Sequence, residues 1–169
     1  MLPSGTLFST ATDLDKPAYN LSGDQIQTVL TAWNGRNTAA RLRLPTSQEW
    51  EIACRNGATS GARFGWGETT NDTVVGTFAR VRLKSIDDAT ANAGPDAVAG
   101  RLANDFGLHD LHGNVWEWVS DGGGTGASPC LRGGSWFDQV ERAATGNRLD
   151  LPANVPYALA GFRLVLEIK

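Results

Sequence analysis

Two histidines, His109 and His112, and two cysteines, Cys54 and Cys130, supply all the imidazole and thiol chemistry available to this chain of 169 residues. A nucleophilic enzyme needs a Ser or Cys within reach of a base, and neither histidine accompanies a serine in a Gly-x-Ser-x-Gly elbow. His109 and His112 could in principle share a metal ion, but the sequence offers no obvious third nitrogen or sulfur ligand, so both read as loop histidines. Cys54 and Cys130 form neither a CxxC motif nor a disulfide framework, and each reads as a small core residue. Gly122-Gly123-Gly124 lacks the Lys-Ser/Thr of a phosphate loop, and Gly94-Pro95 is a turn. The carboxylates are more informative. Gly113-Asn114-Val115-Trp116-Glu117 places Glu117 in an apolar, aromatic strand, with Asp110 just before it. A buried carboxylate must be compensated, either by a hydrogen-bond network or by a hard cation such as Ca²⁺, which accepts carboxylates and backbone carbonyls together.

These residues must be positioned by elements legible in the chain. Ser22-Gly23-Asp24-Gln25 is a capping box, followed by Ile26, Val29, Leu30 and Trp33 on one helical face, and Asn34-Gly35 ends a helix over 22–34. A second box, Thr46-Ser47-Gln48-Glu49, opens a helix near 47–56 whose Trp50, Ala53 and Cys54 share a face and which Gly57 closes. From Thr59 to Ala99 the pattern reads as loops and short extended pieces. Period-two alternation predicts strands over 115–119, 130–136 and 162–168, the last presenting Phe162, Leu164, Leu166 and Ile168 on one face. Phe137 to Ala160 shows neither period, and a loop of such length within a compact domain is usually functional.

Composition bounds the rest. The chain suits one domain. With 15 Lys and Arg against 18 Asp and Glu, the net charge of −3 provides no basic stripe for nucleic acid. No apolar run suits a membrane crossing, the first residues do not read as a secretory signal, and the compartment stays open. The 20 glycines and 6 tryptophans predict a loop-rich fold pinned by large aromatics.

Several blocks carry a resemblance. Arg43-Leu44-Pro45-Thr46 with Glu49-Trp50-Glu51, then the stretch from Phe106-Gly107-Leu108 to Gly113-Asn114-Val115-Trp116-Glu117-Trp118, then Leu131-Arg132-Gly133-Gly134-Ser135-Trp136 and Gly161-Phe162-Arg163 resemble the formylglycine-generating-enzyme (sulfatase-modifying factor) family. The resemblance implies an α+β, C-type-lectin-like fold: a single domain over 1–169 with two helices packed on a small twisted antiparallel sheet. The family's N-terminal segment is mostly missing before Lys16-Pro17, so this reads as an abbreviated version. The family's enzymes bind copper through a cysteine pair shortly after the Gly-Gly-Ser motif, where this chain has Phe137-Asp138-Gln139-Val140-Glu141-Arg142. The related sulfoxide synthases hold iron through histidines of an added domain, absent here. The resemblance therefore implies the fold but neither copper nor iron chemistry.

A third branch is more similar: the variable proteins of bacterial and phage diversity-generating retroelements, which display a randomised surface between Gly-Gly-Ser-Trp and Gly-Phe-Arg. That region here is 133–163, with Arg142-Ala143-Ala144 and Arg148 at scaffold-like positions. Mutagenesis of template adenines cannot produce Gln or Glu from an asparagine codon, and apart from Gln139 and Glu141 every residue from Phe137 to Ala160 passes. The resemblance implies a non-catalytic protein that binds a protein or cell-surface ligand through Phe137, Asp138, Val140, Thr145, Asn147, Leu149, Asp150, Leu151, Asn154, Val155, Tyr157 and Leu159. It also maps a structural calcium ion onto the side chains of Asp110 and Glu117 and the carbonyls of Gly113 and Val115. The alternatives are a catalytic relative with unrecognised chemistry and an accessory structural domain. Apolar residues in the 137–160 stretch, such as Phe137, Val155 and Tyr157, favour contact over a solvated linker.

Overall fold

The computed structural model describes residues 14–57, 61–84, 94–121 and 129–169, so Gly122, Gly123 and Gly124 lie outside the described residues. Helix α1 (Gly23–Asn34) starts where the sequence places it: the Ser22 hydroxyl accepts from the Gln25 amide, and the Gln25 side chain accepts from the Ser22 amide. Its buried face is Ile26 and Leu30, while Val29 is 44% exposed, so the apolar stripe is narrower than expected. Helix α2 (Ser47–Cys54) has the same reciprocal cap, between Thr46 and Glu49. Gly57, at φ 73°, closes it by donating its amide to the Ile52 carbonyl.

A third helix, α3 (Asp72–Phe78), corrects the expectation of loop between 59 and 99. Asn71 caps it by accepting from the amides of Thr73 and Val74, and only Val75 is fully buried. Two turns containing Thr, Val and Gly leave no periodic stripe to recognise.

Five strands form the main sheet: β1 (Tyr19–Leu21), β3 (Trp116–Val119), β4 (Cys130–Arg132), β5 (Arg148–Asp150) and β6 (Tyr157–Phe162), in the order β1-β6-β3-β4-β5. The pairings are antiparallel except β3 with β6, which run parallel with Trp116 opposite Ala160 and Trp118 opposite Phe162, so the sheet is mixed rather than wholly antiparallel. A separate two-stranded sheet joins β2 (Ala40–Arg43) to β7 (Val165–Ile168). The strand expected over 162–168 is thus two strands in two sheets. Its alternating apolar face lies largely in solvent, with Leu166 56% and Ile168 85% exposed. Arg43 ties this ribbon to α2, donating to both carboxylate oxygens of Glu49 and to Glu167.

The core follows from these contacts. Leu21, Ile26, Leu30, Trp116, Trp118 and Leu131 pack between α1 and the sheet. Trp50 and Cys54 of α2 meet Val119 and Cys130 beneath it. Cys54 and Cys130 are buried free thiols, as their core reading requires. A third cluster joins Phe64, Val75 and Val81 to Val140 and Ala143.

Candidate functional site

The stretch from 137 to 160 is ordered by contacts with its flanks rather than left as a free loop. It contains a 3-10 turn (Val140–Ala143), the edge strand β5 and most of β6. Gly134 turns the chain into it at φ 74°, and a Cβ there would meet the backbone of Ala143 at 2.9 Å, so the turn and the close approach both require glycine. Three anchors follow. Asp138 Oδ2 accepts from the Trp116 indole (2.8 Å) and from the Ser135 amide (3.0 Å) and hydroxyl. Arg132, buried at 5% exposure, donates to the Thr145 and Asn147 carbonyls, to the Ser47 hydroxyl and to Glu51. The Thr145 amide donates to the Arg63 carbonyl (2.9 Å), and the Asn147 side chain donates to the Glu141 carbonyl.

These anchors sort the residues expected to bind. Val140 and Thr145 are 5% and 0% exposed, which corrects their assignment to the surface: Val140 packs with Val75 and Val81, and the Thr145 hydroxyl lies 3.7 Å from the Cys54 sulfur. Leu149, Leu151, Tyr157 and Leu159 are half-buried against the main core, because β5 and β6 alternate inward and outward as strands do. Asp138 and Asn147 are also half-buried, their side chains used as anchors. Phe137, Asp150, Asn154 and Val155 are exposed. So are Gln139, Arg142 and Arg148, of which the two arginines had read as scaffold. Phe137 meets Trp136 edge-on, with the Arg82 guanidinium 5.7 Å from its ring centre. Burial foremost, with the Asp138 charge adding, pushes the Tyr157 hydroxyl above the usual range, and the Arg142 charge opposes this.

The Glu117 carboxylate has a different environment. Trp50 Nε1 and Arg163 Nε both donate to Oε2 at 2.5 Å, and Arg163 Nη2 donates to Oε1 at 2.6 Å and to the His109 carbonyl at 3.0 Å. Burial opposes the Arg163 charge, but the Glu117 carboxylate more than offsets that and holds the guanidinium above its usual range. Asp110, at φ 58°, accepts the Ala99 amide, and burial pushes its carboxyl upward, the Glu117 charge contributing. Gly113, at φ 88°, donates its amide to the Gly133 carbonyl, and Val115 is buried. A calcium ion on Asp110, Gly113, Val115 and Glu117 would compete with a guanidinium that already contacts both Glu117 oxygens. Among the described residues, no three His, Cys, Asp or Glu side chains gather at one point. The buried carboxylate is already compensated by the arginine and the indole.

His112 and Cys54 are neighbours that the sequence left apart. His112 Nδ1 lies 2.8 Å from the Ala143 carbonyl and so carries the proton, leaving Nε2 to accept the Gly65 amide (3.0 Å) with the Cys54 thiol 3.3 Å away. Burial pushes His112 down to about 4 and the Cys54 thiol up to about 12, so both are neutral at pH 7. A protonated thiol is a poor nucleophile. His109 Nδ1 lies 2.7 Å from the Arg101 carbonyl, whereas His112 Nδ1 is held on the Ala143 carbonyl.

A mixed sheet with helices and long ordered connections, closed around the Trp-Glu-Trp strand β3, defines an α+β, C-type-lectin-like domain of the formylglycine-generating-enzyme type. The family described as "Sulfatase-modifying factor enzyme 1-like domain" matches residues 10–168, and the chain belongs to it. It is similar to the formylglycine-generating enzyme of Streptomyces coelicolor, 34% identical over 135 residues that cover 64% of this chain and 41% of that protein. It is also similar to the inactive C-alpha-formylglycine-generating enzyme 2 of Bos taurus, 31% identical over 146 residues that cover 84% of this chain and 46% of that one. The chain spans less than half the length of these two relatives. Among solved structures, Treponema denticola variable protein 1 superposes with a TM-score of 0.60 at 27% identity, covering 76% of this chain and 48% of its own. PvdO from Pseudomonas aeruginosa shares the fold with a TM-score of 0.71 at 20% identity, covering 92% and 63%.

Proposed function

We propose that this protein is a non-catalytic binding module whose C-terminal segment recognises a protein or cell-surface ligand. The observation that carries the reading is the division of labour within 137–159. Asp138, Thr145 and Asn147 are held by the scaffold, while Phe137, Arg142, Asp150, Asn154 and Val155 are exposed around them. A surface whose backbone is fixed by residues beneath it loses little entropy on binding and tolerates changes at its exposed positions. The likeness to a variable protein supports this reading, as does the presence of an inactive relative within a family of enzymes. The neutral Cys54–His112 pair offers no thiolate for oxidative chemistry. A coding region diversified at adenines would leave a partial copy of the 133–163 segment beside a reverse-transcriptase gene.

The test uses fluorescently labelled protein on a panel of bacterial cells, scored by flow cytometry beside the Phe137→Ser/Val155→Ser double variant. Saturable binding that the double variant loses while remaining folded supports the reading. Binding that is absent across the panel or unchanged in the variant overturns it, as does turnover of a cysteine-containing sulfatase peptide.

A further inference from the structure

A cleft of about 210 Å³ opens between α2, α3 and the 102–112 loop, away from the 137–159 surface. Its polar lining is largely engaged already. Asn104 Oδ1 accepts the Phe106 and Leu108 amides, its Nδ2 donates to the Ala53 carbonyl, and Asn56 accepts the Asp105 amide. Both His112 nitrogens are occupied and the ring is neutral. Two carboxylates remain. Asp105 is exposed at the rim, and Asp110 is half-buried with the Ala99 amide on Oδ2. Among the described residues lining the cleft there is no lysine or arginine.

The apolar wall is aliphatic in character. Trp66 lies flat between Phe64 (4.7 Å) and Phe78 (5.7 Å) and meets His112 edge-on, so neighbouring rings cover both its faces. No open indole face is left for the aromatic cage that holds a quaternary ammonium. What the cleft offers is Leu102, Leu108 and the side of Phe78, with Leu102 58% exposed at the rim. Its volume falls below that of sites for drug-sized ligands, which start near ~300 Å³, and suits a single side chain or a short alkyl group.

We propose that this cleft binds a primary alkylammonium group, such as a lysine side chain, with its hydrocarbon stem on Leu102 and Leu108 and its charge at Asp105 and Asp110. Lysine has this two-part character, an apolar stem and a compact charged head. None of the described residues lining the cleft belongs to 137–159, although His112 and Cys54 on its wall touch Ala143 and Thr145.

The test is a titration of the full chain at pH 7 with n-pentylamine, followed by ¹H,¹⁵N NMR, with 1-pentanol and pentanoate as isosteres. Saturable shifts at the Trp66 indole and the Leu102 and Leu108 amides are expected for the amine. Pentanol and pentanoate should bind at least roughly tenfold more weakly, as should the amine to Asp105→Asn and to Asp110→Asn. Asn tolerates the φ of 58° at position 110, and the exposed Asp105 position keeps the test decisive if the Asp110 variant unfolds. Equal binding of pentanol, wild-type affinity in Asp105→Asn, or no saturable shifts would overturn the proposal.

Discussion

Glu117 and Asp138 each accept an indole N–H, the first from Trp50 and the second from Trp116, yet their surroundings differ. Around Glu117 every polar atom is turned inward: Arg163 binds both oxygens and the His109 carbonyl, and Trp50 closes the remaining side. Around Asp138 one side chain serves as a latch, while its neighbours are held mainly through the backbone and, for Phe137, against Trp136. The Asp138 carboxylate latches onto β3 and Ser135, while Phe137 and Gln139 on either side are exposed. Within one fold, internal saturation gives a rigid floor, and intermittent anchoring gives a shaped surface whose intervening side chains are free to vary.

The largest expected effect lies in the saturated region. Arg163→Met leaves a buried carboxylate without its cation and should cost roughly 3–5 kcal/mol in denaturant unfolding, with Glu117→Gln/Arg163→Met recovering part of the loss. Next comes pH. The folded pKa of His112, about 4, lies below its unfolded value of 6.5. The unfolded state therefore takes up the proton first, and the contribution of the neutral imidazole is full above pH 6.5 and lost as pH falls towards 4. By linkage that loss is on the order of 3 kcal/mol, and His112→Gln should flatten the stability profile in that window. Asp138→Ala, which strands the Trp116 indole, should cost about 1–3 kcal/mol, because the residue works as a latch rather than a surface contact. Asn154→Ala and Val155→Ser should change stability by no more than about 0.5 kcal/mol while altering binding. At the small end, calcium or a chelator should leave the melting temperature unchanged. A clear rise on adding calcium would show that the Arg163–Glu117 pair rearranges to admit an ion.

The sequence showed the scaffold more clearly than the surface. Capping boxes at Ser22 and Thr46 are local chemistry, readable within four residues, and both are formed. The Gly-Gly-Ser and Gly-Phe-Arg blocks marked the ends of the segment only through the family resemblance. Burial of Val140 and Thr145 was illegible because it depends on partners far away in the chain, Val75 and Val81 for one and Arg63 and Cys54 for the other. The neutralisation of Glu117 by Arg163 spans 46 positions and leaves no spacing signal. The split of 162–168 into two strands was hidden because both halves alternate in phase, and only the partner strands tell them apart.

The parallel pairing of β3 with β6 has a consequence for how this chain folds. Strand β6 also pairs with the edge strand β1, placing Tyr19 opposite Gly161, so that side of the sheet closes only when residues 142 positions apart meet. Such long-range closure makes for slow folding. The exposed side chains of 137–159 make few of the contacts that define that barrier, so substitutions among them should leave the folding rate nearly untouched. A lineage could then exchange its binding face repeatedly without retuning how its proteins fold.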